Sequence, residues 1–255
     1  MPDHAAQCTF ALGDMDLRVL TWNVAAVRAY PPPARGVLGA GGDPGAELAA
    51  ALDGWAWDVA LLQEVPPWWP ERICAALHCE ARWATARRVP LLRMRRAFPG
   101  RAAGAVVGGG GAILARSDRI IGEHSLLLGR RPERRLVHGV ALACGVWVSN
   151  LHASGGPAAA DDLRAAVRAS TQWARAARLP LILGGDLGAA AEVERLHPAA
   201  DAEGLRTAAA AAAQHILCGP GIDIRVGTAG PAARPTPFGV GAPPESGPLA
   251  VTLVI

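Results

Sequence analysis

Asn23, Glu64, His152 and Asp186 each stand at the end of a strand-like run of the chain. Two carboxylates and an amide oxygen form a set of hard donors, the kind that suits Mg2+ or Mn2+ with water in the remaining positions. A cation held this way polarises a phosphoryl oxygen, orients a water and stabilises a leaving group. An imidazole beside it can donate to the same phosphoryl oxygen and stabilise charge building there. These residue types therefore point to phosphoryl chemistry, provided the strand ends converge.

The elements that would have to position them can be read from short apolar runs and their punctuation. Residues 17–24 alternate like a strand, residues 58–65 form a buried strand stopped by Pro66-Pro67, and residues 146–152 form another that His152 closes. Leu181-Ile182-Leu183 runs from Pro180 into Gly184-Gly185-Asp186, again a buried strand with a sharp exit. An acid in such an exit is also ordinary turn chemistry; the other strand ends with polar residues make it a candidate site. Further strands are expected at 112–116, 136–143, 215–218 and 248–255. Helices are expected at 46–52, 68–77 and 161–177, where Asp161-Asp162 suits a helix N-terminus. The alanine run 208–213 is expected to be helical on propensity alone. Residues 31–45 and 228–247 are rich in Pro and Gly and read as loops. With no internal repeat and no dividing linker, the expectation is a terminal segment, 1–16, and one α/β (α+β) domain over 17–255.

The chain has 255 residues, is 51% hydrophobic and carries a net charge of +3. All 25 basic residues are arginine, spread along the whole chain, so the bias itself carries no functional weight. Arg134 and Arg135 directly precede the strand at 136–143 and are candidate substrate-binding residues, since guanidinium forks pair with phosphate. The six arginines within 87–101 fit a substrate-facing loop and a solvated surface equally well. Gly108 to Gly111 lack the spacing of a phosphate-cradling loop. No apolar run reaches the length of a membrane span, and the N-terminus shows no basic-then-apolar leader, so neither span nor signal peptide is expected. Five scattered cysteines fit reduced thiols in a cytoplasm. Cys74, His78 and Cys79 lack a nameable fourth zinc ligand, so buried thiols with a surface histidine is the stronger reading. Trp68 and Trp69 could stack on bases or pack a helix against a sheet.

Taken in order, Thr21-Trp22-Asn23, Gln63-Glu64, Asn150-Leu151-His152, Gly184-Gly185-Asp186 and His215-Ile216 resemble the endonuclease/exonuclease/phosphatase superfamily, the DNase I-like fold. The likeness runs from about Leu17 to the C-terminus. It implies a four-layer α-β-β-α sandwich, with two mixed β-sheets packed face to face and helices outside. It also implies a divalent metal and a phosphoester substrate, nucleic acid among the classes. By that resemblance Asn23, Glu64 and Asp186 form the metal site, Asn23 also meeting substrate, and His152 contacts the scissile phosphate.

The chain departs from the family's pattern in the half that activates water. Gly188 replaces the Asn of Gly-Asp-Phe-Asn, and Gln214 replaces an Asp. Glu245-Ser246 replaces the terminal Asp-His. A serine hydroxyl is too weakly basic to take a proton from water at neutral pH, and losing a general base typically costs about 10²–10⁴ in rate. His215 and Glu245 are the candidate stand-in bases. The expectation is a Mg2+- or Mn2+-dependent phosphoesterase with an impaired or altered water-activating half. The alternatives are an inactive relative that binds a phosphorylated ligand or nucleic acid, and a structural domain with a vestigial cleft.

Overall fold

A computed structural model describes residues 15–24, 44–85, 110–116, 118–129, 135–153, 159–188, 197–211, 213–225 and 249–255. Apolar residues on both faces of the central strands dictate the layering. In β1 (Asp16–Asn23), Leu17 and Val19 face one way while Leu20 and Trp22 face the other, and all four are buried. A strand covered on both faces needs a layer on each side of its sheet.

The remaining strands are β2 (Val59–Val65), β3 (Glu80–Ala84), β4 (Gly110–Ala115), β5 (Ile120–Gly129), β6 (Arg135–Leu142), β7 (Trp147–His152), β8 (Leu181–Asp186), β9 (Arg206–Ala211), β10 (Gln214–Cys218), β11 (Asp223–Arg225) and β12 (Leu249–Val254). The helices are α1 (Pro44–Asp53), α2 (Trp69–Leu77), α3 (Ala159–Ala177) and α4 (His197–Ala202). The strands make two six-stranded mixed sheets, β11-β12-β1-β2-β4-β3 and β5-β6-β7-β8-β10-β9. Val19, Leu61 and Ile113 of the first sheet meet Val140, Val148, Ile182 and Ile216 of the second in a central apolar layer. Leu20, Trp22, Leu62 and Leu114 pack outward with Leu48, Leu52, Trp69 and Ile73 of α1 and α2. Leu151, Leu183 and Leu217 pack outward with Leu163 and Val167 of α3. This is the DNase I-like sandwich that the resemblance implied. None of the described helices is long and apolar enough to cross a membrane.

Local chemistry explains the helix ends. Pro70 lies in the first turn of α2, where its missing N–H costs nothing, and His78 closes the helix in the left-handed region at φ 53°. Asp161 and Asp162 open α3 and Arg175 closes it, complementing the helix dipole. Trp69 is buried beneath the first sheet, which favours the packing role for that residue.

Two expectations are corrected. Residues 206–211 form a strand because the backbone pairs with β10, with Ala208 and Ala209 against the central layer; sheet pairing outweighs alanine's helix propensity. Cys74 and Cys79 form a disulfide, since the turn at His78 returns the chain until their Cα atoms are 4.6 Å apart. The reduced-thiol reading therefore fails for this pair, and neither sulfur is a thiolate ligand. Among the described residues Cys144 and Cys218 are free.

Buried His138 on β6 gives a pH prediction. Burial, with Arg82 adding to it, pushes its pKa from 6.5 down to about 4. Between those values the unfolded chain binds a proton that the folded chain refuses, so stability falls as pH drops through that window and the loss levels off below about 4. From pH 7 to 4.5 this one group is expected to cost on the order of 2–3 kcal/mol. Urea unfolding at both pH values checks it: His138→Leu should lose that much less stability on acidification than the wild type.

Candidate active site

Strand direction places the four polar residues on one rim. β1 runs parallel to β2, and β7 parallel to β8. The first pair faces the second across the central layer, with all four C-terminal ends at the same edge. Asn23, ending β1, donates through Nδ2 to Asp186 Oδ2 at 2.7 Å. His152 and Asp186 end their strands as direct register partners. His152 Nδ1 lies 3.2 Å from Glu64 Oε1, and its Nε2 lies 4.0 Å from Asp186 Oδ2. One imidazole therefore separates the two carboxylates.

Simple alternation would not deliver Glu64. Val59 and Leu61 face the central layer and Leu62 faces outward, so the next outward position would fall to Glu64. The pairing with β4 shifts between Leu62, opposite Ala112, and Val65, opposite Gly110, so Gln63 and Glu64 both oppose Gly111. This bulge puts Glu64 at φ 62° and turns its carboxylate to His152. A left-handed backbone costs a non-glycine residue about 1–2 kcal/mol. Such strain concentrates where geometry serves a site.

Asp186 is fixed by the backbone around it. A Cβ on Gly185 would lie 1.9 Å from Leu151 O, so only glycine lets β8 approach β7 at this point. Gly188, at φ 97°, donates its N–H to Asp186 Oδ1 at 3.2 Å. The position that the resemblance assigns to an amide side chain thus contributes a backbone donor.

Arg135, at the start of β6, completes the cluster. Its Nη1 lies 2.8 Å from His152 Nδ1 and 3.7 Å from Glu64 Oε1. A guanidinium can only donate, so the contact with the imidazole requires a ring nitrogen that accepts. The side chains of Arg135, Asp186, His152 and Glu64 are 15, 18, 20 and 25% exposed, open enough for a phosphoryl group to enter and dry enough to strengthen charge interactions.

The other candidates fall elsewhere. His215 pairs with Gly185 and shares the strand face of Leu217, which packs toward α3. It is therefore on the opposite face of the sheet from Asp186, which removes it from the cluster as a stand-in base. Gln214 is opposite Asp186 on the inner face and accepts from the Thr21 hydroxyl at 2.9 Å. Arg134, Glu245 and Ser246 lie outside the described residues.

Sequence reasoning missed a buried polar layer directly beneath the rim. Gln63 donates through Nε2 to Asn150 Oδ1 at 2.8 Å and to Thr21 Oγ1 at 3.1 Å. Asn150 Nδ2 donates to Leu62 O at 2.8 Å and Ala112 O at 2.9 Å. The available signal was an amide at an inward position of an otherwise apolar strand, which must find partners when buried.

The profile of the Endonuclease/Exonuclease/phosphatase family matches residues 20–248. The chain belongs to this family. An endonuclease/exonuclease/phosphatase family protein from Bacteroides thetaiotaomicron is 15% identical, with 96% of each chain covered and a TM-score of 0.64. A mannosyl-6-phosphatase from the same species is 14% identical over 94% of this chain and 99% of that one, with a TM-score of 0.62. D. rerio TDP2, solved with a single-strand DNA product, is 13% identical over 94% and 99%, with a TM-score of 0.60. At these identities the likeness to solved structures shows the fold. Comparison with curated proteins finds no match.

Among the described residues no group of three or more His, Cys, Asp or Glu is gathered as for a metal. The rim instead brings together two carboxylates, an imidazole and an amide. Glu64 and Asp186 approach a common imidazole, and Asn23 bonded to Asp186 carries a carbonyl oxygen on its other arm. Oxygen donors of this kind fit a hard cation that keeps several waters.

Proposed function

We propose that this chain is a phosphoesterase that uses Mg2+ or Mn2+ held by Asn23, Glu64 and Asp186. The observation that carries the reading is the meeting of Glu64, His152, Asp186 and Arg135 at one rim, with Asn23 bonded to Asp186. When bound there, the cation supplies charge to polarise the phosphoryl group and lower the pKa of water.

The protein's own groups divide the remaining work. Arg135 presents N–H donors to a phosphoryl oxygen and adds positive charge beside Glu64. His152 offers a ring N–H to the same group, where charge builds as the bond breaks. Asn23 and the Gly188 N–H hold the Asp186 carboxylate in one orientation. The neighbours named as a mannosyl-6-phosphatase and as TDP2 with a DNA product support both a small phosphoester and a nucleic acid as substrate classes.

The water-activating half is altered. Gln214 is committed to Thr21, His215 is on the far face, and Gly188 offers only its backbone. These same features favour the second reading, a family member that binds a phosphorylated ligand without turning it over. Assays with bis-p-nitrophenyl phosphate and p-nitrophenyl phosphate separate the two. Hydrolysis should be abolished by EDTA and restored by Mg2+ or Mn2+; metal binding with no hydrolysis of either ester supports the binding reading.

A further inference from the structure

The bulge that aims Glu64 needs its own support. Where two residues oppose one, regular ladder pairing is interrupted, and carbonyls beside the bulge need other donors. Leu62 O and Ala112 O flank this interruption on β2 and β4. Both receive hydrogen bonds from Asn150 Nδ2, which reaches across the central layer from β7 in the other sheet. The Asn150 carbonyl in turn accepts from Gln63, one of the two bulged residues. A single amide therefore bonds to three points around the bulge, and it is 2% exposed.

We infer that Asn150 is a positioning residue that clamps the β2 bulge and thereby holds the Glu64 carboxylate at the rim. The inference deepens the proposed metal site and rests on Glu64 being a ligand there. Asn150 and His152 are two apart on β7 and share a face, so the strand that carries the imidazole also fixes the carboxylate it meets. Gly111 belongs to the same device. A Cβ there would lie 3.3 Å from Asn150 Nδ2, tight enough to displace the amide.

The clamp predicts behaviour that a general stabilising role does not. Mn2+ affinity would be measured on the intact chain by calorimetry and by loss of the free-ion EPR signal, without substrate. Asn150→Ala is expected to weaken Mn2+ binding about 10–100-fold, the usual cost of removing support from a metal ligand. Hydrogen exchange over residues 62–65 should accelerate in the same variant. Leu163→Ala, which opens a cavity under α3 and touches none of these groups, is expected to lower Tm yet bind Mn2+ like the wild type. Gly111→Ala keeps Asn150 but crowds it; its affinity should fall in the same direction, and it serves if Asn150→Ala does not fold.

Wild-type Mn2+ affinity in folded Asn150→Ala or Gly111→Ala would overturn the clamp and leave the metal reading standing. An equal loss in Leu163→Ala would overturn it as well. A wild-type chain that binds no Mn2+ sinks the metal reading and this inference together, and it is recognised before any variant is made.

Discussion

Glu64→Ala is expected to abolish phosphoester hydrolysis, with a loss on the order of 10²–10³ or more even at high metal concentration. The variant removes a carboxylate that lies 3.2 Å from His152 and 3.7 Å from Arg135, so both lose a neighbouring negative charge and the proposed metal site loses a donor. Glu64→Gly is the sharper companion, because position 64 has φ 62°. Both variants lack the carboxylate, but only alanine bears the left-handed strain. The glycine variant should therefore be more stable than the alanine variant by about 1 kcal/mol, and equally inactive. Denaturant midpoints and initial rates on the two proteins check this together. An alanine variant as stable as the glycine one would remove the argument that strain is maintained here to aim an acid.

Ser246→His is expected to raise kcat by about 10²–10⁴, the range for a well-placed general base. The prediction comes from the correspondence of Glu245-Ser246 with the family's terminal Asp-His, and Ser246 itself lies outside the described residues. Within them, neither Gln214 nor His215 supplies a base at the rim. The first is an amide bonded to Thr21, and the second is on the other face of its sheet. A gained imidazole also leaves a signature: the pH–rate profile should acquire a new acid limb near the ordinary histidine value of about 6.5. Unchanged rate and profile in a folded variant would mean that position 246 is not where this chain activates water.

The central strands were legible because burial on both faces leaves a strong mark. Leu181-Ile182-Leu183 between Pro180 and the glycines has no other sensible reading, and β1, β2 and β7 are nearly as clear. Edge elements were harder. β9 is made largely of alanine, whose local preference is helical, and only the neighbouring β10 makes it a strand. β3, β5, β11 and α4 escaped the sequence reading. β11, at three residues, is too short for alternation to register.

At the site, residue types at strand ends were readable, but their aim was not. Nothing in Gln63-Glu64 announces a bulge, because the bulge is a relation between β2 and β4 rather than a property of either. His215 shows the converse: its type suits a base, yet the register with Gly185 sends it to the wrong face. Cys74 and Cys79 looked like separate thiols because the turn that joins them depends on a left-handed His78. Local words locate elements; pairing decides which side chains meet.

The most direct test of the account is a crystal of the intact chain soaked in Mn2+, with anomalous diffraction recorded at the manganese edge. The account predicts a single strong peak at the rim, within coordination distance of Glu64 and Asp186 and lost in Glu64→Ala. A difference map with no peak beside those carboxylates, or a peak that survives Glu64→Ala unchanged, would contradict it.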